Sequence, residues 1–245
     1  MGLKTKIQDK ANDIALQTSG LNLPKALLII PDGNGRWAKK LGLSISDGHK
    51  QGGKTFSQIL DHFMRVGIDV LGVWGFSEDN WKRPQDEVNK IMEVIGDVIT
   101  QNLEKLIKNN IKFITIGRTD RIEKEYPALF ATITNAVAKT SQNSDKTLAL
   151  FLDYGERFAL EKFAKARIND TNTSTYALVS KTNSGLPLFD MVLRTSGEQR
   201  LSGFGPLVSL AEFVSVKKNL PELEDIDLLN ALREFSKRQR RFGGR

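Results

Sequence analysis

The sequence predicts a single Rossmann-like α/β domain with a mainly parallel sheet flanked by helices. Three observations predict it. Short apolar runs lack the alternation of half-exposed strands, as strands buried on both faces do. The stretches between them carry apolar residues at spacings of three and four, the period of a helix with one buried face. Strands alternating with helices build parallel sheets.

The first run, Ala26–Ile30, ends in Pro31-Asp32-Gly33-Asn34-Gly35-Arg36, and a helix is expected to start near Trp37. Phe56, Ile59, Leu60, Phe63 and Met64 mark the next helix. The run Val70–Phe76 ends in Ser77-Glu78-Asp79-Asn80-Trp81-Lys82-Arg83-Pro84. Helical spacing then links Val88, Ile91, Met92, Ile95, Val98 and Ile99 with Leu103 and Leu106. A third strand is expected at Phe113–Ile116, a helix over Ile122–Thr140, and a fourth strand at Leu148–Leu152. A helix over Phe158–Ile168 follows. The Asn169–Asn183 stretch, rich in Asn, Thr and Ser, reads as a surface loop. A short run, Met191–Leu193, leads into Arg194-Thr195-Ser196-Gly197-Glu198-Gln199-Arg200, and a last helix runs from about Ile226 to Arg240. No repeat or linker divides the chain. Residues 1–24 read as a helical extension and 25–245 as one domain.

The 245 residues are 40% apolar and 27% charged, enough to bury a sizeable core. Without cysteine, disulfides and zinc–thiolate sites are excluded. With His49 and His62 as the only histidines, a metal should be a hard cation held by oxygen. A net charge of +7 favours a polyanionic partner. No apolar run approaches the roughly 20 residues of a membrane span. The N-terminus lacks the apolar core of a signal peptide, so a cytoplasmic location is expected.

Ligands of open α/β sheets bind at the carboxyl ends of strands, where four of these loops converge. Gly33 and Gly35 let backbone N–H groups approach an anion, and Arg36 adds a bidentate phosphate donor. Asp32 would repel phosphate unless Mg²⁺ bridged it to diphosphate oxygens. A plain Asn-Gly turn is the alternative reading. Arg194 and Arg200, with Ser196 and Ser202, form a second candidate clamp, which read alone would be surface arginines. Two anion sites on one edge suggest a reaction between two phosphorylated substrates. Walker and dinucleotide-binding glycine motifs are absent, as is an Asp-Asp-x-x-Asp sequence.

These loops resemble the cis-prenyltransferases, the undecaprenyl diphosphate synthase family. The resemblance rests on Asp32–Ala38 with Gly48-His49, on Phe76-Ser77 with Asn80–Pro84 and Glu87-Val88, and on Arg194–Ser202. Asp153-Tyr154-Gly155-Glu156-Arg157 departs from the family's Asn-Tyr-Gly-Gly-Arg at two positions, and Arg240–Gly244 resembles its tail. The resemblance implies a Mg²⁺-dependent condensation of isopentenyl diphosphate with an allylic prenyl diphosphate into a long cis-prenyl product. It implies catalytic roles for Asp32, Asn34, Ser77 and Asn80, with Ser77 and Asn80 as a proton relay. Gly33, Gly35, Arg36, Trp37, His49, Trp81 and Arg83 would contact substrate. Arg194, Arg200 and Ser202 would hold isopentenyl diphosphate, and Asp32 and Glu212 would bind the metal. The tail around Arg240 would close over diphosphate. A homodimer, a product partitioning to a membrane where the enzyme is peripheral, and an apolar product tunnel are also implied. Phe56, Ile59, Phe63, Val88, Met92 and Ile95 would line that tunnel, although each also fits an ordinary core. Small Gly75 suits long products, whereas bulky Trp74 would act against them.

Three positions depart from the family. Ile45 stands where an arginine is usual, a one-residue deletion is needed to bring Glu212 into register, and Lys25 replaces a histidine. Ser46-Asp47-Gly48 and Phe204–Leu207 resemble the irregular lavandulyl-type branch, which couples two dimethylallyl units. A non-catalytic partner subunit is disfavoured by intact Asp32 and Arg36. A nucleic-acid binder using Lys237–Arg241 is disfavoured because no recognised module accompanies that run, so no nucleic-acid partner is expected.

Overall fold

The computed structural model describes residues 16–242 and 244. The helix expected within residues 1–24 therefore lies largely outside the described residues. Among the described residues, six parallel strands form one sheet: β1 (Ala26–Ile30), β2 (Val70–Ser77), β3 (Ile111–Ile116), β4 (Lys146–Tyr154), β5 (Met191–Arg194) and β6 (Glu212–Ser215). Their order is β3-β4-β2-β1-β5-β6. Continuous apolar strands arise because both faces are covered. Leu27 and Ile29 of β1 enter one core, and Ala26, Leu28 and Ile30 enter the other.

The helices are α1 (Asn34–Lys40), α2 (Ile45–Phe63), α3 (Gln85–Lys108), α4 (Thr119–Glu125), α5 (Pro127–Lys139), α6 (Glu156–Asn169), α7 (Thr175–Thr182) and α8 (Asp225–Ser236). Buried residues of α2 and α3, among them Phe56, Leu60, Ile91 and Met92, pack on the first face. An aromatic cluster of Trp74, Phe151, Tyr154, Phe189 and Phe204 fills the second.

Two sequence expectations need correction, and one strand was not expected. The helix expected over 122–140 is two helices, because Pro127 opens α5 and pushes Tyr126 out of the helical region. The 169–183 stretch contains α7, capped by Ser174 and anchored by buried Leu178 and Val179. β6 has four residues, Glu-Phe-Val-Ser, and carries no apolar run to announce it.

β1 lies between β2 and β5, and the chain departs from it to both sides. A crevice opens at such a reversal of strand order. The loop after β1 carries Asp32 into that position.

Candidate active site

Asp32 is held from three directions. Its backbone N–H donates to Thr195 Oγ1 (2.7 Å), Thr195 Oγ1 donates to its carbonyl (2.7 Å), and Leu220 N–H donates to the same carbonyl (2.9 Å). Its Oδ1 accepts from Gly33 N–H and Arg36 Nη2, both at 2.7 Å. Its Oδ2 accepts from Arg194 Nη2 at 2.9 Å. Gly33 has φ +94°, and a Cβ there would come within 2.2 Å of Asn219 Oδ1, so only glycine fits.

The two predicted anion sites join through carboxylates. Arg36 Nη1 and Arg200 Nη1 both donate to Glu198, while Asp32 links Arg36 to Arg194. Arg194 is buried, and its Nη1 donates to Ser202 Oγ at 2.7 Å. Three guanidiniums against two carboxylates leave an excess of positive charge. The hydrogen bond from Arg36 lowers the Glu198 pKa, so Glu198 occupies an anion position as a charged group.

A second chain of contacts reaches the loop from α2 and α3. Arg83 Nη1 donates to Glu87 Oε1 (2.8 Å), which pairs with His49 Nε2 (3.3 Å); His49 Nδ1 lies 3.4 Å from Asn34 Nδ2. Burial lowers the His49 pKa despite the opposing pull of Glu87, which favours neutral imidazole at neutral pH. Gly52 admits the Asn34 side chain: a Cβ there would meet Asn34 Oδ1 at 2.3 Å. Ser77 N–H donates to Asn80 Oδ1 at 3.0 Å, which fixes Asn80 at the end of β2.

Asp32, Gly33, Asn34, Gly35, Arg36, His49, Asn80 and Arg83 therefore share one polar pocket, with Ile45 on its wall where the resemblance expects arginine. Asn34 and His49 also border an apolar cavity of about 120 Å³ between the sheet, α2 and α3. Its wall includes Phe56, Gly75, Ile95, Val98 and Leu106. Of the other residues expected to line a tunnel, Ile59, Phe63, Val88 and Met92 belong to the packed core.

The structure does not bring every expected residue together. Trp37 sits half-buried within α1, away from the walls of that pocket. Ser77 and Trp81 are not on those walls either, although Asn80, in the same turn, is. Glu212 is the correction that matters most for metal binding. It pairs in register with Met191 at the amino end of β5, whereas Arg194, which touches Asp32, lies three residues on. At about 3.3 Å per residue, some 10 Å of strand separates them, and Glu212 is engaged with Arg238 at 3.0 Å. Within one chain it cannot share an ion with Asp32. Arg240 lies at the same far edge, bound to Asp190 and the Leu210 carbonyl, so it does not close over the pocket.

Sequence reasoning missed Glu198, Glu87 and Asn219. Glu198 and Glu87 stand inside the quoted motifs, but nothing local to the sequence shows which arginine or histidine each one meets. Asn219, which accepts from Ser196 Oγ at 2.7 Å, carries no motif at all.

Comparison with known proteins decides the family. The family model described as "Putative undecaprenyl diphosphate synthase" matches residues 30–243. The chain belongs to the undecaprenyl diphosphate synthase family. An isoprenyl transferase of Clostridium perfringens is 36% identical over 234 residues, covering 91% of this chain and 90% of that protein. A ditrans,polycis-undecaprenyl-diphosphate synthase of Micrococcus luteus, specific for (2E,6E)-farnesyl diphosphate, is 32% identical, covering 94% and 96%. Among solved structures, lavandulyl diphosphate synthase from Lavandula x intermedia, in complex with dimethylallyl diphosphate, aligns with TM-score 0.82 at 26% identity, covering 90% of this chain and 98% of that one. A "probable undecaprenyl diphosphate synthase" from Campylobacter jejuni aligns with TM-score 0.73 at 29% identity, covering 91% and 100%. This member of the family is thus a prenyltransferase with the family's α/β domain.

Proposed function

We propose that this prenyltransferase condenses isopentenyl diphosphate with an allylic prenyl diphosphate to give a long cis-prenyl diphosphate. One observation carries the reading: Asn34 and His49 border both the polar pocket and the apolar cavity. An allylic diphosphate would set its head among Gly33, Gly35 and Arg36 and its tail against α2 and α3. Arg194, Arg200 and Ser202 would hold the diphosphate of the second substrate. Cleavage of the allylic C1–O bond places negative charge on the departing diphosphate, where Arg36 and the backbone N–H groups of the loop stabilise it. The isopentenyl double bond then forms the new bond to C1, and a proton leaves C2. Of the proposed relay pair, Asn80 lines the polar pocket, and its Oδ1 accepts from the Ser77 N–H.

Asp32 is the carboxylate that would bind a metal ion together with diphosphate oxygens, because it stands between Arg36 and Arg194, the two arginines proposed here to hold diphosphate. Among the described residues no cluster of three or more His, Cys, Asp or Glu side chains offers an all-protein cage. Mg²⁺ bound there would neutralise charge on the leaving diphosphate. Within one chain the fit runs through Asp32 alone.

The apolar wall favours a long product. Gly75 sits on that wall, and Trp74 turns to the opposite face, where its Nε1 donates to the Tyr154 carbonyl at 3.0 Å. Trp74 therefore does not narrow the cavity as its size alone suggested. No helix among the described residues is long and apolar enough to cross a membrane. Product partitioning to a membrane and homodimerisation form part of the same proposal.

Irregular coupling of two dimethylallyl units is the second reading, favoured by the higher TM-score of the lavandulyl relative and by Ile45 in the allylic pocket. A product assay separates the two. Purified chain with Mg²⁺ and labelled isopentenyl diphosphate is offered dimethylallyl, geranyl or farnesyl diphosphate, with dimethylallyl diphosphate alone in parallel. Long labelled products are expected. A ten-carbon product from dimethylallyl diphosphate alone would establish irregular coupling, and no product in any tube would point to a partner subunit.

A further inference from the structure

Asp153 is the one fully buried carboxylate among the described residues, and nothing in the reaction above uses it. It sits where the pairing of β2 and β4 slips. Phe76 faces Leu152 and Ser77 faces Tyr154, so Asp153 is the extra residue opposite the Phe76–Ser77 step. Its φ of +49° is left-handed, uncommon for a residue with a side chain. Bulges of this kind re-aim a side chain beside a site.

The side chain is aimed at Trp81. Arg121 Nη1 lies 3.6 Å from Asp153 Oδ2, and the Arg121 guanidinium stacks 4.1 Å over the Trp81 ring. The Trp81 indole N–H and both Asp153 oxygens are buried without a well-formed hydrogen bond. Burial pushes the Asp153 pKa up, whereas the nearby indole N–H, Arg121 and Arg118 oppose that shift. Glu78, the neighbouring carboxylate, is taken by Arg118 at 3.0 Å. Trp81 is further wedged between Phe76 and Tyr126, with ring centroids 5.0 and 6.1 Å away. It follows directly on Asn80 in the turn Glu78–Lys82. An ion pair with its carboxylate fully buried is a poor source of stability, since burial costs that group its hydration. What such a pair does supply is a fixed arrangement.

We propose that Asp153 is a positioning residue of the reacting centre: through Arg121 it clamps the Trp81 ring and so fixes the turn that carries Asn80 beside Ser77. This rests on the reading that Asn80 serves that centre.

The test compares Asp153→Asn, Arg121→Gln and their double variant in steady-state kinetics, with Tm and tryptophan emission recorded on the same samples. Asp153→Asn keeps the shape and removes the charge; Asn is the residue that the family's motif carries here, but in this chain it leaves Arg121 without its carboxylate. It is expected to lower kcat about tenfold while changing either KM less than about twofold, with a shift in emission. Arg121→Gln should give the same loss, and the double variant no further loss, because the two act as one unit. Arg121 is half-exposed, so its variant remains a test should Asp153→Asn not fold. Unchanged kcat in a folded variant, additive losses, or a fall in Tm alone would each overturn the proposal. Asn80→Ala separates this inference from its premise. If that variant keeps full turnover, the premise fails; if it loses turnover while Asp153→Asn keeps it, only the clamp fails.

Discussion

The two ends of the same sheet are built to opposite specifications. At the amino edge, charges are matched to partners that hold the fold together. Lys146, opening β4, donates to the carbonyls of Phe63, Val66 and Ile68. Asp190, just before β5, accepts from the N–H groups of Lys25 and Ala26 and from Arg240. At the carboxyl edge, Gly33, Asp153, Ser196 and Ser202 all take positive φ angles. Buried polar atoms without partners are more numerous there, with Asn34 Oδ1, Arg194 Nε, Trp81 Nε1 and both oxygens of Asp153, against Arg240 Nε at the amino edge. Strain and unmet hydrogen-bonding capacity persist where a ligand is meant to use them. The difference teaches that one edge was shaped for stability and the other for binding charge.

Substitutions can break that contrast. The largest effect is expected for Asp32→Ala, which should keep Tm within a few degrees and lower kcat about a thousandfold. A turnover assay on the folded variant checks this, and unchanged activity would remove Asp32 from the reaction. Lys146→Met at the opposite edge should do the reverse. Leaving three carbonyls without their donor should destabilise by about 2 kcal/mol. Urea unfolding should show that loss while kcat at 25 °C stays unchanged. Arg200→Ala should raise KM for isopentenyl diphosphate about tenfold and leave the allylic KM alone. A defect confined to the allylic substrate would move Arg200 to the other subsite.

The smallest effect concerns His49. Its folded pKa lies below the ordinary value of about 6.5, so the unfolded chain binds the proton more readily. The stability it contributes is therefore present above about pH 6.5 and is lost as pH falls through the window beneath. Thermal melts from pH 8 to pH 5 should show a steeper acid decline for the native chain than for His49→Gln. Parallel declines would mean that His49 does not titrate in that window.

Much of the fold was legible because its signals are local. β1 was readable to the residue from Ala26–Ile30, and the α3 stripe from Val88 to Leu106. The break at Pro127 was visible too, but the apolar spacing on either side of it disguised two helices as one. β6 left no local mark, because its pairing with β5 is decided by a neighbour 21 residues earlier in the chain. The candidate site divides in the same way. Asp32, Gly33 and Arg36 were readable as an anion loop, and Arg194 and Arg200 as another. That Glu198 ties Arg36 to Arg200 was not, because the contact spans 162 residues of sequence.

By itself, then, the sequence determined the class of fold, the family and the loops that carry charge. Those follow from apolar periodicity and from short motifs, which depend on neighbours within a turn or a strand. Tertiary structure alone decided which end of the sheet each group occupies. It sent Glu212 and Arg240 to the far edge, turned Trp74 away from the cavity and buried Asp153 behind Trp81. Strand register and helix packing set those positions, and a shift of one residue in register turns a side chain to the opposite face.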